Sequence, residues 1–312
     1  MVNSRLGILL NLFLPQRRNP NPKYAIPEKD KNLEGKTIVF TGGTDGMGRV
    51  AVEMLYSMGA HVVVLGRNKT KTENVISEIN KTGGKGSLSL QICDLASMDS
   101  VKRCAERILA EYSRIDVLIN NAGINITKQT FTSDGFETNW SINYLGSYLL
   151  TNLLLPKIQQ SSPSRIVNLT TNTDFIDQID FNDIESKPNF DTSETYTQAK
   201  LSMNMFSVDL AKKLEGKGVT VNYLYPGYIK SNLLSNLEGK EKVMQFFMNV
   251  MASPTNVGAD RIVRLAISSE YASKTGAYVS EDKIQAPHKE AQIESKRNHL
   301  KKISDKVLKK WL

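Results

Sequence analysis

From residue 37 onward the chain alternates short β-branched runs with helix-length amphipathic stretches, and few patterns restrict a fold so tightly. The runs TIVFT (37–41), HVVVLG (61–66), SLSLQI (87–92), DVLIN (116–120), RIVNLT (165–170), VTVNYLY (219–225) and AYV (277–279) read as strands. Segments 46–58, 70–81, 98–112, 133–159 and 195–214 read as helices between them. The strand runs are continuously apolar rather than alternating, as expected when helices cover both faces of a sheet. Alternation of this kind predicts an α/β fold with a doubly wound parallel sheet.

The predicted domain spans residues 35–285, flanked by an apolar and basic extension with a linker (1–34) and by a basic C-terminal helix (286–312). The net charge of +8 is carried by the ends. Residues 1–36 hold seven Lys/Arg against three Asp/Glu, and residues 281–312 hold nine against five, so the body is balanced. A balanced body argues against a nucleic-acid partner, whereas basic tails leave contact with an anionic membrane surface open. The two cysteines, Cys93 and Cys104, and the histidines at 61, 288 and 299 make no disulfide, metal or triad pattern. An intracellular protein is expected, cytoplasmic or peripherally attached to membrane, with no metal site.

The stretch LGILLNLFLP (6–15) is too short to span a bilayer, which needs about twenty apolar residues. Leu6, Leu9, Leu10, Phe13 and Leu14 would share one helical face before Pro15, with Arg17 and Arg18 beyond. Such a face suits either a membrane surface or the protein's own surface. Residues 15–36, rich in Pro and charge, read as a linker.

The first strand runs into TGGTDGMG (41–48), inside which a helix begins. Gly42, Gly46 and Gly48 permit a tight turn and close approach of a phosphate, and the helix start offers free N–H groups to a pyrophosphate. This places the sheet in the Rossmann type. A conventional NAD site carries an acidic residue at the end of the second strand, but Gly66, Arg67 and Asn68 stand there. A guanidinium favours the additional phosphate of NADP, with Asp45 acting against it. Farther on, YTQAK (196–200) sets Tyr196 and Lys200 one helical turn apart on one face.

Together these motifs resemble a short-chain dehydrogenase/reductase of the compact single-domain kind, from about residue 35 to 285. Thr41, Gly42, Gly46 and Gly48 match its T-G-x-x-x-G-x-G spacing, with Thr44, Asp45 and Met47 in the same loop. CDL (93–95) resembles the adenine-contacting segment through Asp94 and Leu95. NNAG (120–123) resembles the motif beside the adenine ribose, through Asn121, Ala122 and Gly123. NYLG (143–146) supplies the family's helix asparagine as Asn143, and YPGYIKS (225–231) the nicotinamide-covering Pro226, Gly227 and Ile229. The segments 134–156, 172–195 and 275–287 are similar to those of retinol dehydrogenase-like members.

The resemblance implies hydride transfer between NADP(H), less readily NAD, and the alcohol or carbonyl carbon of a lipophilic retinoid-, steroid- or aldehyde-like molecule. Tyr196 would carry the proton. A free tyrosine ionises near pH 10, and Lys200 is expected to lower that value and to bind the nicotinamide ribose. The family's serine is replaced by Thr171, which completes a catalytic set of Asn143, Thr171, Tyr196 and Lys200. The alternative is a catalytically weak nucleotide-binding scaffold with membrane- or partner-binding tails. The Met- and Phe-rich stretch 240–254 would wall an apolar pocket. Leu300, Ile303, Val307 and Trp311 form a stripe for docking on the body or on a membrane, and a second copy of the chain is left open as a partner.

Overall fold

All seven strand runs enter one sheet, ordered β3-β2-β1-β4-β5-β6-β7-β8 in the computed structural model, which describes residues 19–188, 190–230 and 252–312. The apolar stretch at 6–15 and most of 240–254 lie outside the described residues. The strands are β1 (Thr37–Thr41), β2 (His61–Gly66), β3 (Ser87–Ile92), β4 (Val117–Asn120), β5 (Ser164–Leu169), β6 (Val219–Tyr225), β7 (Tyr278–Ser280) and β8 (Lys283–Gln285). The first seven pair in parallel; β8 pairs antiparallel to β7. The sequence reading did not foresee β8, whose KIQ run is short and exposed.

Strand order reverses between β1 and β4, where Thr41 sits opposite Asn120. In an open α/β sheet that reversal opens a crevice at the carboxyl ends of the strands. The glycine loop, the residues after β4 and the residue pair at the end of β5 all emerge there.

The helices are α1 (Gly46–Ser57), α2 (Lys69–Asn80), α3 (Met98–Glu111), α4 (Gly146–Gln160), α5 (Thr192–Lys213), α6 (Thr255–Ile267) and α7 (Glu294–Leu308). Asp45, Asn68, Ser97 and Asp191 cap α1, α2, α3 and α5 by accepting from first-turn N–H groups. One core lies under α1, α2 and α6; the other lies under α3, α4, α5 and α7.

Three expectations change. The helix read over 133–159 is broken into a short turn Thr138–Trp140, a π-helical turn Ser141–Leu145 and α4. Asn143 explains the break: its Nδ2 donates to the Asn139 carbonyl while the rest of its amide engages Ile124. The described part of the segment read as a linker, from residue 19 onward, is instead a strap, with Ile26 and Leu33 buried beside α1 and the Asp30 carboxylate accepting from Ser269 N at 2.7 Å. The helix placed at 286–312 starts with a separate turn, Lys289–Gln292, before α7. Its stripe docks on the body: Leu300 and Trp311 are buried, Ile303 and Val307 are half-buried against the same core, and Tyr144 and Tyr148 hydrogen-bond Ser304 and Asp305 at 2.7 and 2.6 Å.

Candidate active site

The glycine loop is stitched to the strand beside it. Thr41 Oγ1 accepts from Asn121 N and Ala122 N, both at 3.0 Å, and donates to Ile119 O. Asn121 Nδ2 donates to the carbonyls of Thr41 and Gly42 at 3.1 and 2.9 Å. These contacts leave Asn121 Oδ1 buried without a partner among the described residues. A Cβ on Gly42 would stand 2.7 Å from Ala122 Cα, and one on Gly48 would stand 2.1 Å from Gly42 O. Gly43, which the sequence reading passed over, faces Val52 at 2.8 Å in the same sense. Gly46, by contrast, has φ +50° with nothing within 4 Å of its would-be Cβ. The loop is therefore backed tightly on one side and open on the other, with Thr44 and Met47 half-buried and the α1 N-terminus at its edge. These residues fit a dinucleotide's phosphates.

At the end of β2, Arg67 is exposed and forms no ion pair among the described residues. Asn68, read as a cofactor contact, spends its side chain on the α2 cap, accepting from Lys71 N at 2.9 Å. Asp45 accepts from Gly46 N at 2.8 Å and pairs with Lys71 Nζ at 3.2 Å, so a cation offsets its charge. The Asp94 carboxylate closes a turn onto Ala96 N at 3.0 Å, while Leu95 is buried with its carbonyl facing Ser141 and Gly146.

The four residues read as catalytic come from three places beyond the ends of β4 and β5: Asn143 from the π turn, Thr171 from the chain after β5, and Tyr196 and Lys200 from α5. Thr170 N bonds Leu224 O at 2.8 Å, which fixes the residue before Thr171 against β6. The Thr171 hydroxyl faces the Tyr196 phenol closely enough to lower its pKa. Lys200 is 3% exposed, and its Nζ donates to Leu169 O at 3.1 Å and lies 5.8 Å from the Tyr196 ring centre. Asn143 Oδ1 and Lys200 Nζ converge on Gly123, standing 3.0 and 3.3 Å from where its Cβ would be. Asn143 makes no bond to Tyr196; its Oδ1 accepts from Ile124 N at 3.0 Å and its Nδ2 donates to Ile124 O at 2.9 Å. It braces the loop after β4.

Electrostatics depart from the sequence expectation in one respect. Burial pushes the Tyr196 phenol well up; Tyr225 adds to this, and the Thr171 hydroxyl, rather than Lys200, pulls it partly back. Burial also takes the Lys200 ammonium down to about 8. The two groups are one turn apart, but the ammonium points toward a carbonyl at the strand end.

Pro226, Gly227 and Ile229 follow β6. Gly227 has φ +82°, and Ile229 packs with Met47 of the glycine loop against Gly258 of α6. Pro226 O accepts from Arg261 Nη1 at 2.6 Å, a buried contact that no sequence motif signals. Tyr225, also unanticipated, is pushed up to about 12 by burial and by Glu281, with Arg261 opposing. An open groove of about 550 Å³ between α2 and β3 contains none of these residues. Among the described residues no cluster of His, Cys, Asp or Glu is arranged for a metal, and no helix is long and apolar enough to cross a membrane.

The short chain dehydrogenase family model matches residues 36–242. Human retinol dehydrogenase 13 is 34% identical over 86% of this chain and 83% of its own length. Human retinol dehydrogenase 14 is 34% identical over 94% of this chain and 93% of its own length. Among solved structures, an uncharacterized Mycobacterium paratuberculosis protein superposes with TM-score 0.72 at 24% identity, covering 91% of this chain and 96% of that one. The NADP complex of Pseudomonas aeruginosa RhlG superposes with TM-score 0.66 at 21% identity, covering 81% and 97%. These two structures share the fold, and the sequence likenesses carry the assignment further. The chain belongs to the short-chain dehydrogenase family and is an NAD(P)-dependent dehydrogenase/reductase acting on CH–OH groups.

Proposed function

We propose that the chain interconverts an alcohol and its carbonyl on a lipophilic small molecule, retinoid-, steroid- or aldehyde-like, and prefers NADP(H). The observation that carries this reading is the Tyr196–Lys200 pair one turn apart on α5, with the buried Lys200 Nζ 5.8 Å from the phenol ring centre. When bound, the nicotinamide supplies or accepts the hydride. Tyr196 holds the mobile proton at its hydroxyl and exchanges it with the substrate oxygen. Thr171 orients that phenol and offers a hydroxyl to the same oxygen; its extra methyl narrows its rotamers relative to serine. Lys200, anchored on Leu169 O, sets a positive charge beneath the site when protonated. Asn143 and Gly123 keep the floor of the site in register.

Preference for NADP(H) is supported by Arg67, exposed where a 2′-phosphate would lie, and by Lys71, which offsets Asp45. A lipophilic substrate is supported by the names of the relatives, retinol dehydrogenases 13 and 14. The test is turnover of retinal, a steroid ketone and a medium-chain aldehyde with NADPH and with NADH. Reduction of at least one carbonyl, faster with NADPH, is expected; no turnover with either cofactor overturns the reading.

A further inference from the structure

Arg261 is 3% exposed on α6, an unusual place for a guanidinium. A buried charge is tolerated only when paired and hydrogen-bonded, and Arg261 uses its whole fork. Nη1 donates to Pro226 O at 2.6 Å, Nη2 to Glu281 Oε2 at 3.1 Å and Asp282 Oδ2 at 3.0 Å, and Nε to Asp282 Oδ1 at 3.1 Å. The two carboxylates lie in the turn between β7 and β8, where Glu281 holds φ +55° without being glycine. Residues other than glycine rarely adopt that conformation, and it persists only when surroundings enforce it. Here Glu281 N donates to Tyr225 O at 2.7 Å, so the turn is tied to β6 one residue before Pro226.

Gly227 completes the arrangement. At φ +82° it brings its backbone so close that a Cβ would stand 2.8 Å from Arg261 Nη1 and 3.1 Å from Glu281 Cγ. Arg261 thus fastens the segment after β6, the β7–β8 turn and α6 together, and Arg264 of α6 also reaches Asp282 Oδ1 at 3.4 Å. The Arg261–Asp282 pair is buried, and one role open to such a pair, beyond its small net stability, is to fix a geometry.

We propose that Arg261 is a positioning residue that, through Glu281 and Asp282, sets the height of the Pro226–Gly227 segment over the nicotinamide end of the cofactor. The inference rests on the cofactor reading above and concerns only that end. By the same reading the adenine end falls to Asp94 and Arg67, neither of which Arg261 touches. Lysine cannot replace it, because a point-like ammonium cannot serve a carbonyl and two carboxylates in one plane.

The experiment compares native protein with Arg261→Lys and Arg261→Met. Backbone hydrogen exchange of the peptide spanning residues 225–230 is measured without ligand. Binding of NADPH is then set against adenosine 2′,5′-bisphosphate, which lacks the nicotinamide end. The expected result is faster exchange in that peptide, NADPH binding weakened about tenfold, about 1.4 kcal/mol, and adenosine 2′,5′-bisphosphate binding changed less than twofold. Should Arg261→Met fail to fold, Arg261→Lys carries the test. Unchanged exchange in a folded variant, or equal loss of both ligands, overturns the proposal. Native protein that binds neither ligand overturns the cofactor reading itself.

Discussion

Lys200 Nζ donates to Leu169 O at 3.1 Å and lies 5.8 Å from the Tyr196 ring centre, so strand end and helix share one buried cation. Burial lowers Lys200 from its ordinary 10.5 to about 8. Below pH 8 the fold carries the cost of a buried ammonium. Between pH 8 and 10.5 the folded chain is neutral there while the unfolded chain is charged, so this group makes stability rise with pH. Lys200→Met should therefore stabilise the ligand-free protein at pH 7 by about 1–2 kcal/mol, the lost hydrogen bond offsetting part of the gain. It should also lose about 100-fold or more in turnover. Denaturant titrations at pH 7 and pH 10 check this; a destabilised variant at pH 7 contradicts it.

Tyr196→Phe should abolish turnover while leaving cofactor affinity within about twofold, because a single hydroxyl is removed from the proton path. Thr171→Ser should retain or raise activity. Thr171→Val removes the hydroxyl that pulls the phenol down, so activity should fall about 100-fold and its alkaline limb move to higher pH. Equal rates for serine and valine would make Thr171 a bystander.

Arg67→Ala should weaken NADPH about tenfold by loss of a charge-assisted contact and leave NADH almost unchanged. Lys71→Ala releases Asp45 from its 3.2 Å pair and should move preference toward NADH in the same direction. Fluorescence titration with both cofactors measures each shift. A native preference for NADH would show that Asp45 outweighs Arg67.

The glycines of the loop should fail for different reasons. Gly48→Ala drives a Cβ to 2.1 Å from Gly42 O and should cost more than about 2 kcal/mol together with cofactor binding. Gly46→Ala meets open space, and only its φ of +50° opposes the change, at about 1–2 kcal/mol. Urea unfolding of both variants decides the order.

What could be read beforehand follows the range of each interaction. Strand positions and the glycine loop were legible because β-branched runs and glycine spacing are local. The Tyr196–Lys200 pair was legible because one helical turn sets it. The π turn at Ser141–Leu145 was not, since it depends on which acceptor the Asn143 amide finds, and the residue order does not show that. Arg261 looked like one more basic residue because its three partners come from 20, 21 and 35 positions away. The direction of the Tyr196 shift was misread because spacing brings Lys200 near the ring without saying which acceptor its Nζ finds.

The docking of α7 has an optical consequence. Trp140 and Trp311 are the chain's two tryptophans, and each ring lies 6.3 Å from Phe136. Trp311 Nε1 donates to Asp99 Oδ1 at 2.7 Å, across the seam between the C-terminal segment and α3. All indole emission therefore originates in one corner of the molecule, on the far side of the sheet from α1. A melting curve followed by that emission reports when the C-terminal segment lets go, and opening of the glycine loop must be followed by another probe.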